Sequence, residues 1–282
     1  MCLIAFAIGA SPRWPLVIAA NRDEYLDRPT LPLARWTGDG GQTIISGRDL
    51  LAGGTWLGAT PAGRIAFLTN LRQGDVKMEP AKRSRGELVT RWLQADVDAA
   101  GFAAMLRAEA GDYGGFNLVL GDFRRNAWTW ITNQVCADPT AWRVESLDSG
   151  VYGLSNAALD TPWPKTVALK KALETALLAR TLPDLQSPLW RALANRERFI
   201  AASVAATGTA GARDEALSSA FVDFPENAFG TRCSSVLAVE AKGADSVGPR
   251  YGLSVEERSY GQRHVTGEID ICEASTAAFL IT

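Results

Sequence analysis

The first twenty-five residues, MCLIAFAIGASPRWPLVIAANRDEY, constrain the chain more than any other stretch. Two apolar runs, Leu3–Ile8 and Leu16–Ala20, flank the turn cluster Gly9-Ala10-Ser11-Pro12. That order predicts a strand, a turn and a second strand. Neither run alternates with polar residues, so both strands are expected to be buried on both faces. A hairpin returns the chain to its starting edge. The polar tetrad Asn21-Arg22-Asp23-Glu24, which follows the second run, is therefore expected beside Cys2, which precedes the first.

Cysteine at position 2 carries a chemical option that other positions lack. Methionine aminopeptidases remove Met1 when the second residue is small, which would leave Cys2 with a free α-amino group. That amine titrates near pH ~8. It can act as general base for its own thiol, as in enzymes with an N-terminal nucleophile. Such chemistry needs no histidine. The chain has one, His264, and no Ser-His-Asp or Cys-His arrangement is suggested around it. The competing reading makes Cys2 an inert small residue that opens a strand, and the tetrad a salt-bridge network at a sheet end.

Composition narrows the partners. With 282 residues and 47% hydrophobic content, the chain can bury one large core or two small ones. A net charge of −2 argues against a broad nucleic-acid footprint and against an anionic membrane surface. A small-molecule ligand or substrate is the expected partner. The four cysteines, at 2, 136, 233 and 272, form no Cys-x-x-Cys pair, and with a single histidine a zinc site lacks ligands. Reduced thiols fit a cytoplasmic location. The N-terminal apolar stretch has no basic leader and is broken by Pro12, Arg13 and Pro15, so it does not read as a secretory signal. No apolar run reaches the ~18 residues of a membrane span.

Further along, Leu31–Arg35 reads as an approach segment and Gln42–Ser46 as a short strand. Gly53-Gly54-Thr55-Trp56-Leu57-Gly58 opens a hairpin with second arm Arg64–Thr69. Its glycines permit close backbone approach, and no Gly-Lys-Ser/Thr follows to make a phosphate loop. Ser84-Arg85-Gly86-Glu87 predicts a capping box and a helix to about Leu93; a second helix covers Ala99–Glu109. Strands are expected at Phe116–Leu120, Asn126–Thr132, Arg143–Ser146 and Val151–Leu154. Helices follow at Lys165–Arg180 and Leu189–Ala202, then a flexible loop at Thr207–Arg213. The chain closes with strands Arg232–Glu240, Arg250–Ser259, Glu268–Cys272 and Thr276–Ile281. Blocks of strands alternate with blocks of helices, which predicts an α+β layered domain of antiparallel sheets covered by helices rather than regular βαβ repetition. No internal repeat or linker divides residues 1–282, so a single domain is expected.

The ordered set Met1-Cys2, Asn21-Arg22-Asp23-Glu24, Gly53–Gly58, Thr69-Asn70, Ser84-Arg85-Gly86, Leu154-Ser155-Asn156, Leu159–Lys165 and Thr231–Ser235 resembles the NRDE family, also called transport and Golgi organisation protein 2-like. The resemblance runs over nearly the whole chain. It implies the αββα layered fold of N-terminal nucleophile hydrolases of the choloylglycine hydrolase and penicillin acylase type, with two stacked antiparallel sheets. It also implies cleavage or transfer of acyl groups at C–N bonds. By the same resemblance Cys2 is the nucleophile, Arg22 lowers its pKa, and Asn156 holds the α-amino group and the oxyanion. Asn70 is then a second oxyanion donor, and Arg232 a late arginine near the nucleophile. In those hydrolases the early Arg and Asp stand three residues apart, whereas Arg22 and Asp23 are adjacent. Adjacent strand residues point to opposite faces, so either the strand ends or bulges there, or Glu24 replaces Asp23.

Family members are also linked to haem movement. The enzyme reading needs no cofactor; the alternative is a non-catalytic carrier of haem or another hydrophobic ligand. Haem would need an axial His, Met, Cys or Tyr; His264 falls in an expected exposed turn, Cys233 could line a pocket, and Cys136 and Cys272 are expected to be buried and inert.

Overall fold

The structure is a computed structural model that describes residues 2–71, 81–133, 142–199, 215, 217–244, 249–261 and 271–281. It is α+β: two seven-stranded antiparallel sheets with four α-helices among the described residues. The strands are β1 (Cys2–Ile8), β2 (Leu16–Tyr25), β3 (Thr30–Thr37), β4 (Thr43–Asp49), β5 (Leu57–Ala59), β6 (Arg64–Asn70), β7 (Phe116–Asp122), β8 (Ala127–Asn133), β9 (Trp142–Ser146), β10 (Gly150–Leu154), β11 (Asp223–Phe224), β12 (Phe229–Ala244), β13 (Pro249–Tyr260) and β14 (Ile271–Ile281). The helices are α1 (Gly86–Gln94), α2 (Ala99–Glu109), α3 (Pro164–Ala176) and α4 (Leu182–Leu193). The chain separates into two compact units, one of Met1–Arg28, Ser149–Ser155 and Leu159–Ala278, the other of Pro29–Asp148, Asn156–Ala158 and Phe279–Thr282.

In the first unit the sheet order is β10-β1-β2-β12-β13-β14, with β11 added to β12. The predicted hairpin forms, with Ile8 opposite Leu16 and Cys2 opposite Arg22. Residues of odd number, Leu3, Ala5, Ala7, Val17 and Ala19, join Leu169, Leu173, Leu185 and Leu189 of α3 and α4 in one core. Ile4, Phe6, Ile8, Leu16 and Ile18, on the opposite face, are equally buried. Continuous apolarity thus reported burial on both faces, as expected. Both helices open in ways their sequence favours: Pro164 and Pro183 fall in first turns, where a missing N–H costs nothing. Thr181 caps α4 by accepting a bond from the Asp184 N–H at 3.3 Å.

In the second unit the order is β3-β4-β5-β6-β7-β8-β9, every neighbour the next strand in the chain. Helices α1 and α2 set Leu88, Trp92, Leu93, Phe102 and Leu106 against Ala66, Leu68, Leu118 and Leu120. The Trp92 indole N–H is shared between the carbonyls of Ile65 (3.0 Å) and Gly121 (3.2 Å), so the largest side chain of that core carries no unsatisfied donor. The glycine-rich hairpin serves close approach: a Cβ on Gly54 would lie 2.3 Å from the carbonyl carbon of Gly86. Two of the quoted motifs therefore meet backbone to backbone.

Several expectations are corrected. Leu31–Arg35 is part of strand β3; Pro32 is tolerated because β3 is an edge strand with irregular register there. The capping box does not close. Ser84 Oγ accepts from the Gly86 N–H at 3.3 Å, but the Glu87 carboxylate is taken by the Tyr113 hydroxyl and Arg83 instead of folding back. Helix α3 stops at Ala176 because the chain turns before the Thr181 cap, and α4 begins seven residues earlier than expected and ends at Leu193. The last two expected strands are one strand from Ile271, with no turn residue to part them. Cys272 is exposed on it rather than buried. Cys136, the loop at 207–213, residues 200–202, residues 268–270 and His264 lie outside the described residues.

Candidate functional site

Period two divides the tetrad at the end of β2. Asn21 and Asp23 share the helix-covered face with Val17 and Ala19, whereas Arg22 and Glu24 share the other face with Ala20 and Ile18. Asn21 is consumed by structure. Its amide donates to the carbonyls of Leu193 (2.9 Å) and Ala220 (2.8 Å), and its oxygen accepts from Ser234 Oγ at 2.5 Å. Tyr260 donates in turn to Ser234 Oγ at 3.0 Å. Asp23 accepts from Thr231 Oγ1 at 2.7 Å and lies in the field of Lys165 from α3. Burial raises the Asp23 pKa, while Lys165, the Thr231 bond and Arg22 pull it down. Lys165 is itself buried and donates to the Leu217 carbonyl at 2.8 Å. The adjacency problem is thereby resolved. Strand β2 neither ends nor bulges at residue 23, so Asp23 is turned away from Cys2's face and Glu24 stands on it.

Cys2, Arg22 and Cys233 form a row across three strands, with Arg22 in register with Cys2 on β1 and with Cys233 on β12. All three are buried, at 7%, 5% and 4% exposure, which removes most of the water that would screen their charges. Glu24 lies 3.9 Å from the Arg22 guanidinium and 3.8 Å from that of Arg28. The Ser155 hydroxyl donates to the Cys2 carbonyl at 3.0 Å, tying the end of β10 to the start of β1.

Arg232 reaches this group through a bulge. Thr231 pairs with Asp23 and Cys233 with Arg22, so Arg232 is the extra residue of β12. A bulge bends its strand and re-aims side chains. The Arg232 guanidinium donates to the Leu26 carbonyl. Its pKa is lowered by burial and then by the like charge of Arg22.

Burial raises the Cys2 thiol pKa, and Asp23 and Glu24 add to the rise; the N-terminal amine lowers it, as does Arg22 in the expected sense, but the net shift is upward. Arg22 alone does not hold this sulfur as thiolate. A second proton acceptor is required for nucleophilic chemistry.

In the second unit, Asn70 ends β6 and Asn156 follows β10, and the Asn156 amide donates to the Asn70 carbonyl at 2.8 Å. The structure thus gathers Cys2, Arg22, Glu24 and Arg232 in the first unit and joins Asn70 to Asn156 in the second. Sequence reasoning missed Lys165 and Glu257. Glu257 continues the buried row Leu253, Val255 along β13, and that alternation was its only signal. Among the described residues no cluster of three or more His, Cys, Asp or Glu could hold a metal. No helix among them is long and apolar enough to cross a membrane.

Residues 1–248 match the family model described as Transport and Golgi organisation 2. A transport and Golgi organization protein 2 homolog of Bos taurus is 34% identical over 257 residues, covering 86% of this chain and 90% of its own. The Homo sapiens homolog is 37% identical over 194 residues, 65% of this chain and 67% of its own. Transport and Golgi organization protein 2 of Drosophila melanogaster is 29% identical over 262 residues, with coverages of 86% and 89%. Among solved structures, penicillin V acylase from Agrobacterium tumefaciens superposes with a TM-score of 0.47 at 11% identity, covering 89% of this chain and 82% of that one. A mutant conjugated bile acid hydrolase from Clostridium perfringens gives 0.48 at 8% identity, with coverages of 98% and 96%. Scores of this size establish no shared fold.

Proposed function

The chain belongs to the Transport and Golgi organisation 2 family, and from that premise we propose a thiol amidohydrolase or acyltransferase that acts on an acyl or C–N bond of a small molecule. The observation that carries the reading is the buried Cys2 thiol in cross-strand register with the buried Arg22 guanidinium. Once Met1 is removed, the Cys2 α-amine is the second proton acceptor that the raised thiol pKa calls for. The amine takes the thiol proton, and the sulfur attacks the carbonyl carbon of the substrate. Charge develops on the carbonyl oxygen, where hydrogen-bond donors would stabilise it. The leaving amine departs with the proton, giving an acyl thioester on Cys2. Water or an acceptor nucleophile then releases the acyl group. Arg22 steadies the thiolate, with Arg232 as a second cation and Glu24 balancing their charge. Asp23, on the helix face, takes a structural part.

Intact mass of the purified protein tests the first step, with loss of Met1 expected. Incubation with short-chain acyl amides and acyl thioesters should then leave an acyl adduct that maps to Cys2 after an acid quench. Cys2→Ser should keep the fold and slow turnover by about a hundredfold or more. Retained Met1 in the active protein, or an adduct on another residue, would overturn the proposal.

A further inference from the structure

The first unit presents two thiols to one guanidinium. Cys2 lies opposite Arg22 from β1, and Cys233 lies opposite it from β12. One strand, β2, lies between the cysteines, and two strand spacings place their α-carbons about 9–10 Å apart. A disulfide requires less than about 7 Å, so the pair cannot cross-link without moving a strand. What relates them is competition for the same positive charge.

Strand β13 breaks the symmetry. It sets Ser259 opposite Cys233 and Glu257 opposite Ser235. Glu257 stands in the same buried row as Leu253 and Val255, at 3% exposure. Its carboxylate accepts from Ser235 Oγ at 3.2 Å, and because Cys233 and Ser235 share a face of β12, Glu257 is the diagonal cross-strand neighbour of Cys233. A neighbouring anion opposes ionisation of a thiol. Burial and Glu257 together hold the Cys233 thiol well above its ordinary pKa, against Arg22. Cys2 is different: the carboxylate on its own face, Glu24, is paired with the Arg22 and Arg28 guanidiniums, and Asp23 stands on the far face.

We propose that Glu257 is a positioning residue that keeps the Cys233 thiol protonated and hydrogen-bonded, so that the Arg22 guanidinium serves the Cys2 sulfur rather than both. This deepens the reading of Cys2 as nucleophile and rests on it. The charged and titratable groups that act on Cys233 are Glu257 from β13, Arg22 from β2 and Cys2 from β1, with Arg232 and Tyr260 in its field. Among these, Glu257 alone can accept the Cys233 S–H as a carboxylate. Removing its charge should lower the pKa of Cys233 and draw Arg22 toward the wrong sulfur.

The test measures iodoacetamide alkylation of the full chain, with Met1 removed, between pH 5 and 10, and maps each modified peptide. In the parent protein Cys2 should react first. In Glu257→Gln the Cys233 rate should rise about tenfold or more, the equivalent of one pKa unit, and the Cys2 profile should move to higher pH. Adding Glu257→Gln to Cys233→Ala should leave the Cys2 profile where Cys233→Ala alone puts it, because the carboxylate acts through that thiol. A purely structural role for Glu257 would not give this pattern. If Glu257→Gln fails to fold, Glu257→Asp should give a smaller rise at Cys233 in the same direction. Unchanged Cys233 and Cys2 rates in the folded variant would overturn the inference while leaving a reactive Cys2 standing. An unreactive Cys2 in the parent protein would instead overturn the reading beneath it.

Discussion

At the scale of single residues, the tetrad does two jobs. Asn21 satisfies two backbone carbonyls and one hydroxyl that are otherwise buried. Asn21→Ala should therefore cost about 2–4 kcal/mol, the penalty of stranding buried polar groups, measured by urea unfolding. Asp23 makes a prediction about pH. Its folded pKa is raised above the unfolded value of ~3.9, so the native state holds a proton that the unfolded chain has released. Stability from this group is full at low pH and falls as pH rises from ~4 through the raised native value. Asp23→Asn removes that decline and keeps an acceptor for Thr231. Urea midpoints of parent and variant, taken between pH 4 and 8, should separate in the variant's favour as pH rises; parallel curves would contradict the assignment. The placing of Arg22 beside Cys2 was legible in the sequence, because apolar runs and period two act locally; the facing of Asp23 was left open between a bulged strand and an opposed side chain, and the strand pairing decides it. The upward shift of the Cys2 pKa was not legible, since burial depends on what packs around the thiol.

At the scale of elements, caps and prolines decided boundaries more than apolar spacing did. Helix α4 is fixed by Thr181 and by Asp184 in its first turn, and Pro188 is accommodated within it. Thr181→Ala should destabilise by about 1 kcal/mol, read as a lowered denaturant midpoint and faster amide exchange in 182–186. The expected capping box at Ser84 failed for a tertiary reason. Arg83, Arg91, Glu87, Glu109 and Tyr113 form a network that recruits the Glu87 carboxylate away from the helix start. Burial and the Glu87 bond push the Tyr113 pKa well above its ordinary value. Local sequence rules have no access to a competitor twenty-six residues away. The bulge at Arg232 is hidden for the same reason: it exists only in the pairing of β12 with β2, which joins Asp23 to Thr231 across 208 residues.

At the scale of the whole molecule, each unit has its own helix-covered core. Leu173 lies fully buried in the first, among Leu169, Leu185 and Leu189. Leu173→Ala should cost about 2–5 kcal/mol, seen as lost amide protection in β1, β2 and β12. The α+β class was readable from the alternation of strand and helix blocks. The sheet order was not, because β2 pairs with a strand that follows every helix. The division of the tetrad between two faces has a consequence for how such a chain can vary. A strand of period two behaves as a reading frame. Deleting one residue between Leu16 and Ala20 would send an amide and an aspartate toward the sulfur and press an arginine into hydrocarbon. Substitutions at 22 or 24 would register in chemistry and those at 21 or 23 in stability. The turn at 9–15 precedes the frame, and within it Trp14 is anchored by burial and by its bond to the Ala179 carbonyl.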